Sequence, residues 1–217
     1  MTTTVVFDFD GVLLRGDSFA GYLRWRTAQR RRRLLAALPA VPLLPLLRHP
    51  RTLPWAARVF TSALTLGLDR ARFEREIDAF CEIWLAHEGR VIAPLLARLR
   101  EHVAAGDRVF VASGTADYLL HGLLVRLGVD GVTALGTEVE FGPTGLRARR
   151  HNYGAAKLAT LAEAGVHAPW SISYSDSYAD LPILAAATRA VLVDPSPSHE
   201  RLVREALGAR LELIRTR

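Results

Sequence analysis

Apolar and polar positions divide the chain into two textures. In the second half, short apolar runs alternate with amphipathic stretches. Helix Pro94 to Ala105 is predicted to stop at Gly106, followed by a strand over Arg108 to Ala112 and a small-residue turn. Helix Ala116 to Leu127 is predicted to stop at Gly128, and residues 137–149 alternate around Gly142-Pro143-Thr144-Gly145 as a hairpin. Helix Tyr153 to Ala164, strand Ser171 to Ser175, helix Asp180 to Ala187, strand Ala190 to Val193 and helix Ser198 to Leu207 complete the pattern.

The first half opens with one strand, Val5-Val6-Phe7, that runs into acids. It then turns helical: Asp17 to Arg33 with Asp17 or Ser18 as cap, Leu53 to Leu66, and Asp69 to Ala86. Phe73, Ile77, Phe80 and Trp84 form a helical stripe that reads as core. Alternating strands and helices imply a parallel sheet flanked by helices. The expected fold is therefore α/β: a Rossmann-like core of residues 1–15 and 90–217, with an all-helical cap inserted over residues 16–89.

In such sheets, ligands bind at the carboxyl ends of the strands. Asp8 and Asp10 follow the first strand, Ser113 a later one, and Asp176 another, so all would converge there. Two acids at alternating positions can divide roles, one as nucleophile and the other as proton donor and acceptor. Gly11 allows a sharp turn after them. Mg²⁺ takes hard oxygens, commonly one or two carboxylates with water and substrate phosphate; Asp8 and Asp176 could supply them. Asp180 could brace that shell, cap the next helix, or do both. Ser113-Gly114-Thr115, read as a strand-to-helix turn, is a candidate phosphate cradle. Each motif alone also has a plainer reading as an ordinary turn or cap.

Composition sharpens one position. The 217 residues carry 28 Lys and Arg against 22 Asp and Glu, a net +6, and Lys157 is the sole lysine. Genome-driven composition accounts for the arginine excess. A lone retained lysine three residues after Gly154 points to a compact cation that offsets crowded acids. One cysteine, Cys81, excludes an internal disulfide. No secretory signal pattern follows Met1, so a cytoplasmic site is expected. The seven histidines show no paired metal spacing.

Asp8-Phe9-Asp10-Gly11-Val12, Ser113-Gly114-Thr115, Lys157 and Asp176 with Asp180, in this order, resemble the haloacid dehalogenase-like superfamily. The resemblance implies an Mg²⁺-dependent phosphatase. Asp8 would be nucleophile and metal ligand. Asp10 would be general acid/base, lending its backbone carbonyl to the metal. Ser113, Gly114 and Lys157 would hold phosphate, Asp176 would complete the metal site, and Asp180 would support it from behind. Asp10 favours phosphatase over dehalogenase, which lacks that second acid.

The inserted helices are similar to the cap of the phosphoserine-phosphatase-like subfamily. Asp17-Ser18-Phe19, Arg30 to Arg33 and Tyr174-Ser175-Asp176-Ser177 resemble the phosphatidylglycerophosphatase C relatives in particular. Ser175 stands where Gly is usual and Ala179 where Asn is usual, which weakens phosphoserine as the substrate.

Arg30 to Arg33 precede fourteen apolar residues, 34–47, that include three prolines. That run is too short to span a bilayer, which takes roughly 20 residues. A basic cluster beside it suits an anionic membrane surface. The expected substrate is a phosphate monoester, with a lipid phosphate such as phosphatidylglycerophosphate first. Phosphoserine, histidinol phosphate or a non-catalytic module for anionic lipid or nucleic acid are the alternatives. No nucleic-acid partner is expected, and the sequence leaves oligomeric state open.

Overall fold

The structure, a computed structural model, describes residues 3–29, 41–43, 45–46 and 52–216. At the centre lies β1 (Thr4–Phe7). β2 (Arg108–Ala116) and β3 (Val132–Gly142) flank it on one side, and β5 (Trp170–Ser175), β6 (Ala187–Val193) and β7 (Leu211–Ile214) on the other. These neighbours pair in parallel. β4 (Gly145–Arg150) closes one edge antiparallel to β3 through the expected Gly142 to Gly145 turn. Val5, Val6 and Phe7 are fully buried, as a central parallel strand with helices on both faces requires.

The register sets the site. Phe7 pairs with Val111 on one side and Tyr174 on the other. The residues that follow in each strand, Asp8, Ser113 and Asp176 among them, therefore emerge together at the carboxyl edge.

Helices α1 (Ser18–Gln29), α2 (Leu53–Leu64) and α3 (Arg70–Leu85) lie between β1 and α4 (Ala93–Ala104) in sequence. The remaining helices are α5 (Asp117–Arg126), α6 (Ala156–Glu163), α7 (Leu181–Ala185) and α8 (Pro197–Leu207). Asp69 caps α3 by accepting the Arg72 amide at 2.8 Å, and the predicted stripe Phe73, Ile77, Phe80 and Trp84 is buried, joined by Cys81. α1 meets α3 where Gly21 lies under Trp84; a Cβ there would fall 2.4 Å from the indole. α2 rests on the hairpin, with the Leu146 amide donating 2.8 Å to Thr65 Oγ1.

Tyr22, Phe73, Phe80 and Trp84 share one apolar cluster with Val5, Phe7 and Val111 of the sheet. Burying each such side chain stabilises by about 1.5–3 kcal/mol, so the inserted helices and the sheet hold each other. The two connecting segments run side by side. Leu14 bridges Val91, the Arg15 amide donates to the Arg90 carbonyl at 2.8 Å, and the Ile92 amide donates to Leu13 at 2.9 Å.

Three local expectations change. β2 runs on through Ser113-Gly114-Thr115 to Ala116, so this segment is strand and not a turn. Its pairing with β3, which begins at Val132, shifts register between Ala112 and Ala116, and that irregularity lets the strand extend. A seventh strand, β7, was not read from Leu211 to Ile214, since four residues carry little periodicity. The basic cluster at 30–33 and most of the apolar run 34–47 lie outside the described residues.

Candidate active site

Lys157, on the first turn of α6, is 2% exposed, and its ammonium donates to Asp8 Oδ1 at 2.8 Å and to Asp180 Oδ2 at 2.7 Å. Three candidates from separate strands and helices therefore meet on one atom. The second oxygen-side partner of Asp180 is Ser175, whose hydroxyl donates to Oδ2 at 2.9 Å. Ser175, the residue that departs from the family pattern, thus has a definite task. Asp180 does not cap α7 with its side chain; its carboxylate is taken up by Lys157 and Ser175, and the capping alternative falls.

Asp10 turns toward α1. The Ser18 amide donates to Asp10 Oδ1 at 3.1 Å and the Ser18 hydroxyl to Oδ2 at 2.9 Å. Asp17, one residue earlier, caps α1 through the Ala20 amide at 2.8 Å. Gly11 has φ +82°, and a Cβ there would lie 2.2 Å from Asp176 Oδ2. Only a glycine lets the loop after Asp8 and Asp10 touch the Asp176 carboxylate. Ser113 is buried and its Oγ accepts the Thr115 amide at 3.1 Å, while the Gly114 carbonyl accepts from Thr137 at 2.7 Å.

Burial raises the Asp8 carboxyl well above its ordinary value; Lys157 opposes this, and Asp180 and Asp176 add to it. Burial lowers Lys157, but Asp8 and Asp180 outweigh that and hold the ammonium charged. Burial also raises Asp176, with Asp180 reinforcing it. Asp10 is pushed up to about 7 by burial and then by Asp17, against the Ser18 bonds. A carboxyl titrating near neutrality can both give and take a proton.

Three acids, Asp8, Asp180 and Asp176, thus share the field of one ammonium. Lys157 is committed to Asp8 and Asp180, and among the described residues Asp176 has no cation within ion-pair distance. Among those residues no three acid, imidazole or thiol side chains form a ready metal cage. Asp8 and Asp176 lie close enough for Asp176 to raise the Asp8 pKa, and Asp176 packs on Gly11; together they suit a hard divalent ion, which takes one or two carboxylates with water.

The sequence profile of haloacid dehalogenase-like hydrolases matches residues 5–185. The chain belongs to this family. Solved structures of similar fold surround this haloacid dehalogenase-like hydrolase. A protein of unknown function from Bordetella pertussis Tohama I is 21% identical, with TM-score 0.58 and 100% of both chains covered. A phosphoserine phosphatase in a phospho-aspartyl intermediate analogue form is 14% identical, with TM-score 0.63, covering 100% of this chain and 94% of that one. A probable phosphoserine phosphatase from Vibrio cholerae is 20% identical, with TM-score 0.63, covering 91% of this chain and 58% of that one. No curated protein matches. Family and fold together support a phosphatase.

Two contacts around these residues had no signal in the sequence. Thr115 Oγ1 lies 2.8 Å from Ser18 Oγ, a contact across 97 positions with no local signature. Tyr153, 57% exposed, stacks on His151 at 5.5 Å and sits against Gly114, where a Cβ would be 3.4 Å from the tyrosine ring. Only its place just before Lys157 could have drawn notice.

Proposed function

We propose that the chain is a divalent-cation-dependent phosphomonoester hydrolase that works through an aspartyl-phosphate on Asp8. The observation that carries this reading is the Lys157 ammonium, buried between Asp8 and Asp180 at the carboxyl edge of the sheet. It neutralises the nucleophile and an incoming phosphate in one place, which is electrostatic stabilisation in a water-poor site. Asp8, Asp176 and the Asp10 carbonyl are the ligands we assign to Mg²⁺, which when bound adds positive charge beside the phosphoryl oxygens.

In this mechanism an Asp8 carboxylate oxygen attacks phosphorus in line. The Asp8 O–P bond forms as the bond to the leaving oxygen breaks, and Asp10 gives that oxygen its proton. Asp10 then takes a proton from water, which attacks the acyl-phosphate and releases phosphate and Asp8. Ser113 and the Gly114 segment hold the phosphoryl group, and Asp180 keeps Lys157 in place. Residues 16–89 serve as the cap over this site.

For the substrate we put forward a lipid phosphate monoester such as phosphatidylglycerophosphate, met at an anionic membrane surface. Its support is Arg30 to Arg33 and the apolar residues 34–47 in sequence. Among the described residues no helix is long and apolar enough to cross a membrane. A non-catalytic binding module is set aside by membership in a hydrolase family.

The test is phosphate release from phosphatidylglycerophosphate, phosphoserine and histidinol phosphate, with and without Mg²⁺, for the protein and Asp8→Asn. Metal-dependent release lost in Asp8→Asn is expected; release that persists in the variant overturns the nucleophile. Flotation on phosphatidylglycerol vesicles, with residues 30–47 present or deleted, addresses the lipid. Equal recovery removes that part alone.

A further inference from the structure

Ser18 is fully buried at the start of α1, and it joins two parts of the molecule that are remote in sequence. Its amide and hydroxyl each hold one oxygen of Asp10, at 3.1 and 2.9 Å. Its hydroxyl also lies 2.8 Å from Thr115 Oγ1, and the Thr115 amide donates to Ser113 Oγ at 3.1 Å. A serine hydroxyl has one proton to give. With that proton directed at Asp10, Ser18 Oγ must accept from Thr115. While Asp10 is ionised the chain runs one way, with Thr115 donating to Ser18 and Ser18 donating to Asp10. Thr115 is 2% exposed, so water does not compete for either hydroxyl.

Among the described residues the Asp10 carboxyl has no other hydrogen-bond partner; its two oxygens receive both bonds from one residue. That residue belongs to the first helix of the inserted segment, while Thr115 belongs to β2 beside the phosphate-holding Ser113. A two-point grip on a carboxyl sets both its position and the plane in which a proton can leave it. Displacements near 1 Å at a reacting group cost about 10²-fold in rate.

We propose that Ser18, itself oriented by Thr115, is the positioning residue for Asp10, so that the seating of α1 on the core sets the geometry of proton transfer. The inference rests on the reading of Asp10 as general acid given above.

The experiment compares kcat/KM on p-nitrophenyl, phenyl and ethyl phosphates, which differ in how much the leaving oxygen needs a proton. p-Nitrophenolate departs without one, whereas ethoxide does not. Ser18→Ala is expected to lose about 10-fold or more on ethyl phosphate and less than about 2-fold on p-nitrophenyl phosphate. Thr115→Val, which keeps both Ser18 and Asp10, is expected to shift selectivity the same way by about 3-fold, and it carries the test should Ser18→Ala not fold. Asp10→Asn is the reference and should show the steepest dependence on leaving group.

A uniform loss across the three esters in Asp10→Asn overturns the acid role and this inference with it. A steep dependence in Asp10→Asn, with flat or absent effects in Ser18→Ala and Thr115→Val, overturns the positioning role of Ser18 and leaves Asp10 standing.

Discussion

Two buried charge clusters in this protein are built from the same groups and have opposite balances. Among the inserted helices, Glu76 lies between two guanidiniums. Oε2 is paired with the fully buried Arg26 and accepts from the Tyr22 hydroxyl at 3.0 Å, and Oε1 accepts from Arg72 at 3.0 Å. Arg26 also reaches the Leu64 carbonyl at 3.3 Å. Among the described residues Glu76 meets two cations, and each of its oxygens accepts at least one hydrogen bond. At the carboxyl edge of the sheet the ratio is reversed: Lys157 pairs with Asp8 and Asp180, and Asp176 adds a third acid beside Asp8. The first cluster is complete as a structure. The second is left short of positive charge, and such a deficit is what a metal ion and a phosphate site require.

The sharpest way to break this contrast is to remove one acid from each cluster. Asp8→Asn should cut turnover by about 10⁴-fold or more, since a nucleophile has no substitute. In metal-free buffer the same variant should be more stable than the parent, by about 1–2 kcal/mol in urea unfolding, because crowded like charge is relieved. A less stable Asp8→Asn protein would contradict the idea of a charge deficit. Glu76→Gln should do the reverse. Breaking this buried pair costs about 3–5 kcal/mol, readable as a lower urea midpoint, with kcat/KM of the folded fraction close to the parent.

Mg²⁺ offers a milder comparison. At about a hundred times its dissociation constant it should stabilise the protein by about 2.7 kcal/mol, and a thermal scan should show Asp176→Asn losing most of that rise. Glu76→Gln should keep it. An equal Mg²⁺ response in Asp176→Asn would detach Asp176 from the metal.

The smallest effect belongs to a third carboxylate, Asp194, where balance is reached near the surface. It accepts from Arg15 at 3.1 Å and from the Thr216 amide at 2.7 Å. Burial acts to raise its pKa, but the Thr216 and Arg15 bonds together hold it below the ordinary carboxylate value. A depressed folded-state pKa gives stability that is present above the unfolded value near 3.9 and is lost as pH falls through the folded one. Asp194→Asn should remove about 1 kcal/mol or less at neutral pH, and its stability should decline less steeply than the parent's as pH drops below 4.

What the sequence made legible follows from locality. Asp8, Asp10 and Gly11 lie in one run after an apolar strand, so their place at a strand end could be read directly, and the strand-and-helix alternation placed Ser113 and Asp176 at the same edge. Lys157 stood out because every other basic residue is arginine. Contacts that cross the fold were hidden. Ser18 read as a helix cap, yet its side chain serves Asp10 and Thr115, and Asp17 does the capping. Asp180 read both as a brace behind the acids and as a cap beside Pro182; its carboxylate goes to Lys157, 23 positions away, and not to the helix end. Ser113-Gly114-Thr115 read as a turn from its small residues, whereas it stays extended between the Ala112–Leu135 and Ala116–Thr137 pairs, with the Gly114 carbonyl held by Thr137. In each case a tertiary partner overrode a local preference.

The neighbouring passages at Leu14 and Val91 have a wider consequence. Because the chain leaves the sheet and rejoins it through the same narrow doorway, whatever is spliced between them is a cassette. Its length and shape can drift over evolutionary time while the strand ends that carry the chemistry stay where they are. Ser18 lies inside that stretch and holds both oxygens of Asp10, so there a change in the cassette would reach the strand ends.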